Sequence, residues 1–165
     1  MTTQGTIVVG VDGSGCSRAA LVFALEEGVR RNAAVRVVWA IPEAEYWPTV
    51  YGMSPSLLEV LCAAAEKSER EMIDTVVRER GGAVADVPVE VRALGGPPAQ
   101  VLMAQSRDAD LLVVGHRGHG ALRSAMLGSV GLACVLHASV PVTVVRTAPQ
   151  AAAPADDRDA VPARA

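Results

Sequence analysis

The feature of this sequence that most constrains its fold is a regular alternation between short apolar runs and longer amphipathic segments. The runs are rich in β-branched residues and lack polar alternation, which is typical of strands buried on both faces. Three of them are TIVVGV at 6–11, VRVVWA at 35–40 and DLLVVG at 110–115. A strand over 87–93 is predicted at a sheet edge because Pro88 lacks a donor, and PVTVV at 141–145 predicts a fifth.

Helices are predicted between these strands, over 17–32, about 57–80, about 98–107 and 129–137. Ser14 or Ser17 is expected to cap the first of them. The 41–55 connection holds three prolines and most of the aromatic residues, and connections of this length are often functional. Strands alternating with helices predict an α/β fold, an open five-stranded doubly wound parallel sheet in a single three-layer α/β/α domain.

Length and charge exclude several classes of protein. The 165 residues suffice for one domain, expected over 1–147, and the Ala/Pro-rich residues 148–165 are expected to form a disordered tail. A net charge of -3 argues against a nucleic-acid binder, which needs a basic face. No apolar run reaches the roughly 20 residues of a membrane helix, and no signal-peptide pattern opens the chain. Three widely spaced cysteines fit reduced thiols, so a cytoplasmic location is expected.

The segment GHRGHGALRSAMLGSV at 115–130 has the pattern with most chemical content. Its glycines let the backbone approach a ligand closely. Gly128 and Ser129 then open a helix, whose unpaired N–H groups and dipole favour phosphate. Arg117 and Arg123 are candidates for the cation that a lysine provides in other phosphate loops, since Lys67 is the chain's one lysine. A glycine-rich connection without any ligand is the alternative interpretation.

Two common nucleotide motifs are absent from the sequence. There is no G-x-x-x-x-G-K-[ST], so a standard P-loop is excluded. No G-x-G-x-x-G opens the first helix, because Gly10-Val11-Asp12-Gly13 is followed by Ser14-Gly15-Cys16. A dinucleotide site of the usual kind is therefore not expected.

The glycine spacing nevertheless resembles a known family. Gly115-x-x-Gly118, nine residues and then Gly128-Ser129 is similar to the G-2x-G-9x-G-[ST] pattern of the ATP-binding class of universal stress proteins. The resemblance extends to the VGVDGS opening, to Ser17 near the start of the first helix and to the closing PVTVV strand. It implies the strand order 3-2-1-4-5, a homodimer paired through the last strand (141–145), and a bound adenine nucleotide. That nucleotide would be ATP, with or without Mg²⁺, although AMP or a cyclic nucleotide shares the adenosine contacts.

The resemblance also assigns residues to parts of the nucleotide. Val11 and Asp12 would lie by the nucleoside, with the Asp12 carboxylate near the ribose or a metal-bridged phosphate, and the Ala40 backbone would meet the adenine edge. Gly115 and Gly118 would line the ribose and phosphates. The remaining residues assigned to the nucleotide are Gly10, Gly128, Ser129 and Val130, and Arg117 is added on the strength of its charge.

Several of these residues have simpler interpretations. Asp12 can close an Asx turn or cap the first helix, and Ser129 can serve only as an N-cap. His116 and His119 have no cysteine or carboxylate at ligand spacing, so a solvent-facing pair is favoured over a metal site. Cys16 and Cys134 are interpreted as small apolar fillers, with no base evident beside either. We expect no catalytic residue and no metal ligand.

Three hypotheses for the function follow. The favoured one is a cytosolic ATP-binding regulatory protein of the stress response, in which nucleotide occupancy acts as a switch with little or no hydrolysis. An adenine-nucleotide-dependent enzyme is the second, although V-D-G-S-G-C-S departs from the S-G-G-x-D-S turn of adenylating pyrophosphatases. The third is a dimeric interaction module without nucleotide.

Overall fold

A computed structural model describes residues 5–42, 56–118 and 127–147. The strands are β1 (Thr6–Val11), β2 (Ala34–Ile41), β3 (Val89–Gly95), β4 (Leu111–Gly115) and β5 (Val142–Val145). The helices are α1 (Gly15–Arg31), α2 (Ser56–Arg80), α3 (Pro98–Gln105) and α4 (Ser129–His137), with a 3₁₀ helix at Gly82–Asp86. The proposed tail and most of the 41–55 connection lie outside the described residues.

The five strands form one parallel sheet in the order β3-β2-β1-β4-β5. This confirms the predicted fold and strand order, including the edge position of β3. β1 lies between β2 and β4, and its Val8 is paired with Arg36 on one side and Leu112 on the other. Since all strands are parallel, the segments that follow β1 and β4 leave the same edge of the sheet side by side.

Both faces of the sheet are covered, which explains why the strands are almost wholly apolar. On one face α1 and α2 pack against alternate strand residues such as Ile7 and Val9. On the other face α3 and α4 contribute Leu102 and Cys134, which pack around Val8. Ile7, Val8 and Val9 are each 0% exposed, so the central strand is surrounded by core.

The ends of α1 follow from its terminal residues. Ser14 holds the N-cap, and its Oγ accepts a hydrogen bond of 3.2 Å from the Ser17 N–H. Asn32 ends the helix in the left-handed conformation, with φ of 50°, and Arg30 and Arg31 lie in the last turn. Of the two predicted caps, Ser14 is therefore the right one, and the Ser17 hydroxyl donates instead to the Ser14 carbonyl at 2.9 Å.

Several element boundaries differ from the prediction by one or two residues, and one element was not predicted. The residues after Gly81 form the 3₁₀ helix, and the Val87 N–H completes its last turn by donating to the Val84 carbonyl. β3 consequently begins at Val89 and not at Val87. α3 ends at Gln105, two residues before the predicted end. No helix in the described ranges is long and apolar enough to cross a membrane.

Candidate functional site

The carboxyl edge of the sheet opens into a cavity of about 540 Å³ next to β1, β2 and β4. All ten residues predicted to bind nucleotide line it, although they come from segments more than a hundred positions apart. They are Gly10, Val11, Asp12, Ala40, Gly115, Arg117, Gly118, Gly128, Ser129 and Val130. The ten residues predicted from the sequence therefore line one cavity in the structure.

The cavity also has walls that the sequence analysis did not identify. These residues are mostly apolar and belong to β2, α3, α4 and the end of β4: Val38, Trp39, Pro42, Pro98, Leu102, Val114 and Gly131, with Ser17 from α1. Their position next to the predicted residues follows from the β2–β1–β4 order, which no local sequence pattern encodes. A pocket that is largely apolar with a few polar groups is typical of small-molecule sites.

Asp12 closes a turn and also lines the cavity. Its Oδ1 accepts a hydrogen bond of 3.0 Å from the Ser14 N–H, which closes an Asx turn before α1. The same carboxylate lines the cavity, and its Oδ2 lies so close to Gly118 that a Cβ at that position would force the carboxylate to shift. The turn role is confirmed, and it fixes the carboxylate where a ligand would meet it.

Close packing against the backbone of Cys16 leaves no room for a side chain at Gly115. A Cβ atom there would lie 2.8 Å from the carbonyl carbon of Cys16 and 2.9 Å from its oxygen. The end of β4 therefore packs directly on the first turn of α1. Gly128 is different, because among the described residues a Cβ at that position would meet nothing closer than the His116 carbonyl oxygen at 3.5 Å.

The first turn of α4 lines the cavity, and no side chain in the described part of the chain caps it. Gly128 holds the N-cap and has no side chain to cap the helix, so the N-cap alternative for Ser129 is wrong and Ser129 is the first helical residue. The Gly128 N–H donates to the His116 carbonyl at 2.9 Å, which ties this turn to the end of β4. The N–H groups of a helix's first turn have no partner within the helix and carry its positive dipole end.

Arg117 is the cation among the described residues that line the cavity. Its Nε is buried and has no hydrogen-bond partner within the described part of the chain. Arg117 thus places a positive charge at the cavity wall, as the phosphate role requires, while its Nε itself is enclosed by protein.

A buried carboxyl group, which sequence reasoning missed, lies behind the Asp12 turn. Glu69 of α2 is 0% exposed, and neither of its carboxyl oxygens has a hydrogen-bond partner among the described residues. Burial, followed by the negative charge of Asp12, raises the pKa of Glu69 to about 7. The available signal was helical spacing, since Glu69 lies on the face that also carries Ile73 and Val76.

The histidine and cysteine expectations need a correction. Nδ1 of His116 lies 3.6 Å from Sγ of Cys16, so a base does stand beside this cysteine, and His116 is not simply solvent-facing. The two residues are a hundred positions apart and meet because β4 ends over the start of α1. His119 lies outside the described residues. In the described ranges, no group of three or more histidine, cysteine or acidic residues could hold a metal ion.

Comparison with known proteins decides the family. The model of the universal stress protein family matches residues 4–146. The chain belongs to the universal stress protein family. The family predicted from the glycine spacing is thereby confirmed, while membership of its ATP-binding class stays a prediction.

Individual family members agree with this assignment. A universal stress protein of Mycobacterium tuberculosis is 32% identical over 175 residues, covering 93% of this chain and 53% of the relative. The chain thus spans about half the length of this curated relative. The structure of UspA from Lactobacillus plantarum matches with a TM-score of 0.62 at 23% identity, over 88% of this chain and 100% of that one, which shows the shared fold.

Another similar crystal structure contains a bound ligand. It is that of a universal stress protein in complex with cAMP, which is 26% identical and has a TM-score of 0.59. The match covers 89% of this chain and 100% of that chain.

Proposed function

We propose that this family member binds an adenine nucleotide, ATP foremost, in the cavity, and that occupancy acts as a switch in a stress response. The observation that carries the proposal is that the cation Arg117 and the first turn of α4, which no described side chain caps, line the same cavity. Such donors suit the phosphates of a nucleotide.

The apolar lining of the cavity suits the adenosine. It includes Trp39, Leu102 and Val114, which offer apolar contact to a purine. Ala40 lies on β2 at the cavity, where its backbone can meet the adenine edge, and Asp12 stands near the position of a ribose or a metal-bridged phosphate. The 26% identical protein that was crystallised with cAMP supports an adenine nucleotide as the ligand class.

Slow hydrolysis is part of the proposal. Rapid phosphoryl transfer requires a cation that stabilises the charge on the transferred phosphate, a positioned base and ligands for Mg²⁺. Among the described lining residues there is no lysine, and Asp12 is the one carboxylate. Asp12 is already engaged by the Ser14 N–H, so it is better placed to orient a ligand than to remove a proton.

We also propose that the protein is cytoplasmic and dimerises along β5. Its three cysteines are unpaired, as in proteins of reducing compartments. β5 is an edge strand, and the adjacent α4 exposes Leu132, Val135 and Leu136, with Leu136 64% exposed. A second copy would cover these apolar side chains and pair the free strand edge.

Nucleotide binding is tested with the full chain purified without added nucleotide. The protein is denatured and the supernatant is analysed by chromatography, and calorimetry then measures the affinity for ATP, AMP and cAMP, with GTP as a control. Gly128→Asp should weaken ATP binding at least ~100-fold, because a carboxylate next to the phosphates is repelled. Gly128→Ala is the matched control, since a Cβ fits there without a close contact.

The outcomes separate the hypotheses. Binding of adenine nucleotides that is lost in Gly128→Asp and kept in Gly128→Ala is the expected result. No binding of any adenine nucleotide at millimolar concentration would favour an interaction module instead. Multiple-turnover release of phosphate or pyrophosphate would favour the enzyme hypothesis.

A further inference from the structure

A nucleophile and a base meet where three segments converge beside the cavity. Cys16 is the second residue of α1, and His116 directly follows β4. The Cys16 Sγ lies 3.6 Å from His116 Nδ1 and 3.7 Å from the Thr147 Oγ1, which follows β5. Neither the nucleotide proposal nor the packing of the core uses this cysteine–histidine pair.

The ring of His116 is in the form that can accept a proton from the thiol. Cys16 lies in the first turn of α1, which contains no acidic residue. Burial first, and then the charges of Arg117 and Arg146, lower the pKa of His116, so its ring is neutral at pH 7 and can accept a proton. Asp12, which precedes the helix, is the opposing charge and is engaged by the Ser14 N–H.

Access to the sulfur is adequate for a small reagent. Cys16 is partly exposed, whereas Cys134 is buried in the core. Cys62 is also partly exposed, but burial and the charge of Glu66 raise the pKa of its thiol. Burial likewise raises the pKa of Cys134. The chain therefore contains two internal comparisons for Cys16.

We propose that Cys16 is a modification site at which hydroperoxides oxidise the thiol to a sulfenic acid, with His116 as the base. His116 takes the thiol proton, and the sulfur attacks one peroxide oxygen. The S–O bond forms as the O–O bond breaks, and sulfur is oxidised by two electrons while the peroxide is reduced. The proton held by His116 goes to the leaving oxygen, which departs as water or an alcohol.

The test compares the three cysteines within one protein. The reduced full chain is treated with hydrogen peroxide in the presence of dimedone, and peptide mass spectrometry follows the labelling of each cysteine over time. Cys16 should be labelled at least ~10-fold faster than Cys62 or Cys134, because the neighbouring imidazole can take its proton, whereas burial raises the pKa of the other two thiols. Equal or slower labelling of Cys16 in the unmodified protein would overturn the proposal without any variant.

Variants then test the role of His116. His116→Gln should slow the labelling of Cys16 towards that of Cys62, while His137→Gln, at the exposed end of α4, should leave it unchanged. Circular dichroism and the melting temperature establish that each variant is folded, and His116→Asn is the substitute if the glutamine variant is not. A folded His116 variant that labels Cys16 as fast as the unmodified protein would remove the histidine from the proposal and so overturn it.

Discussion

The Oδ2 atom of Asp12 occupies the space that a Cβ atom would need at Gly118. The turn after β1 and the turn after β4 are thus fitted against each other, with the Asp12 carboxylate held between the Ser14 N–H and the glycine. This contact explains why Gly118, the second glycine of the G-2x-G-9x-G-[ST] pattern counted from Gly115, has no side chain. It also fixes the shape of the cavity that both turns line.

Gly118→Ala should therefore destabilise the protein and disturb the Asp12 turn. Overpacking of a close contact typically costs about 1–3 kcal/mol, which urea unfolding would detect as a lower midpoint. Gly128→Ala is the matched control and should cost less than about 1 kcal/mol, since its backbone has φ of -63° and its nearest contact is 3.5 Å. Equal destabilisation by the two substitutions would contradict the close fit between Asp12 and Gly118.

Glu69→Gln should change how stability depends on pH. The pKa of Glu69 is raised from 4.5 to about 7 in the folded state, so folding takes up a proton between these values. The stability that follows from this raised pKa is fully present below about pH 4.5 and is lost as the pH rises through 7. The loss amounts to about 3 kcal/mol of the free energy of unfolding. Glutamine stays neutral, so the variant should keep its stability above pH 7, where the unmodified protein loses it.

Denaturant unfolding at a series of pH values measures this difference. Glu71→Gln, at an exposed position of the same helix, is the control and should leave the pH profile of the unmodified protein unchanged. A Glu69→Gln profile that remains parallel to the unmodified one from pH 5 to 8 would show that this carboxyl is ionised in the folded protein.

Arg36 holds a polar cluster at the opposite end of the sheet. Its guanidinium donates to Glu90 at 3.0 Å, Asp108 at 3.0 Å and the Gln105 carbonyl at 2.8 Å, and the side chain is only 13% exposed. These contacts raise the pKa of Arg36 and lower that of Asp108, while the hydrogen bond from Arg92 and then that from Arg36 lower the pKa of Glu90. The arginine thereby ties β2 to β3 and to the segment after α3.

Arg36→Ala should lower the free energy of unfolding by about 1–3 kcal/mol, because the half-buried Gln105 carbonyl and the Asp108 carboxylate lose this donor, while Glu90 keeps that of Arg92. Arg18→Ala, which removes an ion pair whose side chains are 41% and 55% exposed, is the control and should cost at most about 1 kcal/mol. Comparable losses in the two variants, measured by urea unfolding, would show that the Arg36 cluster adds nothing beyond a surface ion pair.

The sequence predicted those parts of the fold that depend on local periodicity. β1 and β4 are apolar on both faces because helices cover both, and this produces an uninterrupted run such as 6–11. The order of the strands came from the family resemblance, because the pairing of Val8 with Leu112 leaves no trace in either segment alone. The 3₁₀ helix was missed since its five residues are too short to show a period.

The sequence likewise predicted some residues of the candidate site and missed others. Its glycines and Asp12 stand at strand ends, where the fold class itself directs attention. Glu69 was missed because a single glutamate in a long charged helix normally faces solvent, and only tertiary packing places it behind Asp12. The Cys16–His116 contact joins positions a hundred residues apart, so only the structure brings it to light.

Oxidation of Cys16 should weaken nucleotide binding if both proposals hold. An oxygen added to the sulfur on the side of His116 would crowd the 3.6 Å space between Sγ and Nδ1, and the backbones of Gly115 and Cys16 are already so close that a Cβ at Gly115 would lie 2.8 Å from the Cys16 carbonyl carbon. His116 must therefore move, and with it Arg117 and the Gly128 N–H that donates to the His116 carbonyl. These are the groups proposed to bind the phosphates, so the Kd for ATP should rise several-fold. This rise corresponds to a loss of roughly 1 kcal/mol of binding free energy. Calorimetry on peroxide-treated protein measures this change, with Cys16→Ser treated identically as the control. Unaltered affinity in protein whose Cys16 is shown by mass spectrometry to be oxidised would mean that the end of β4 absorbs the modification without moving the phosphate donors.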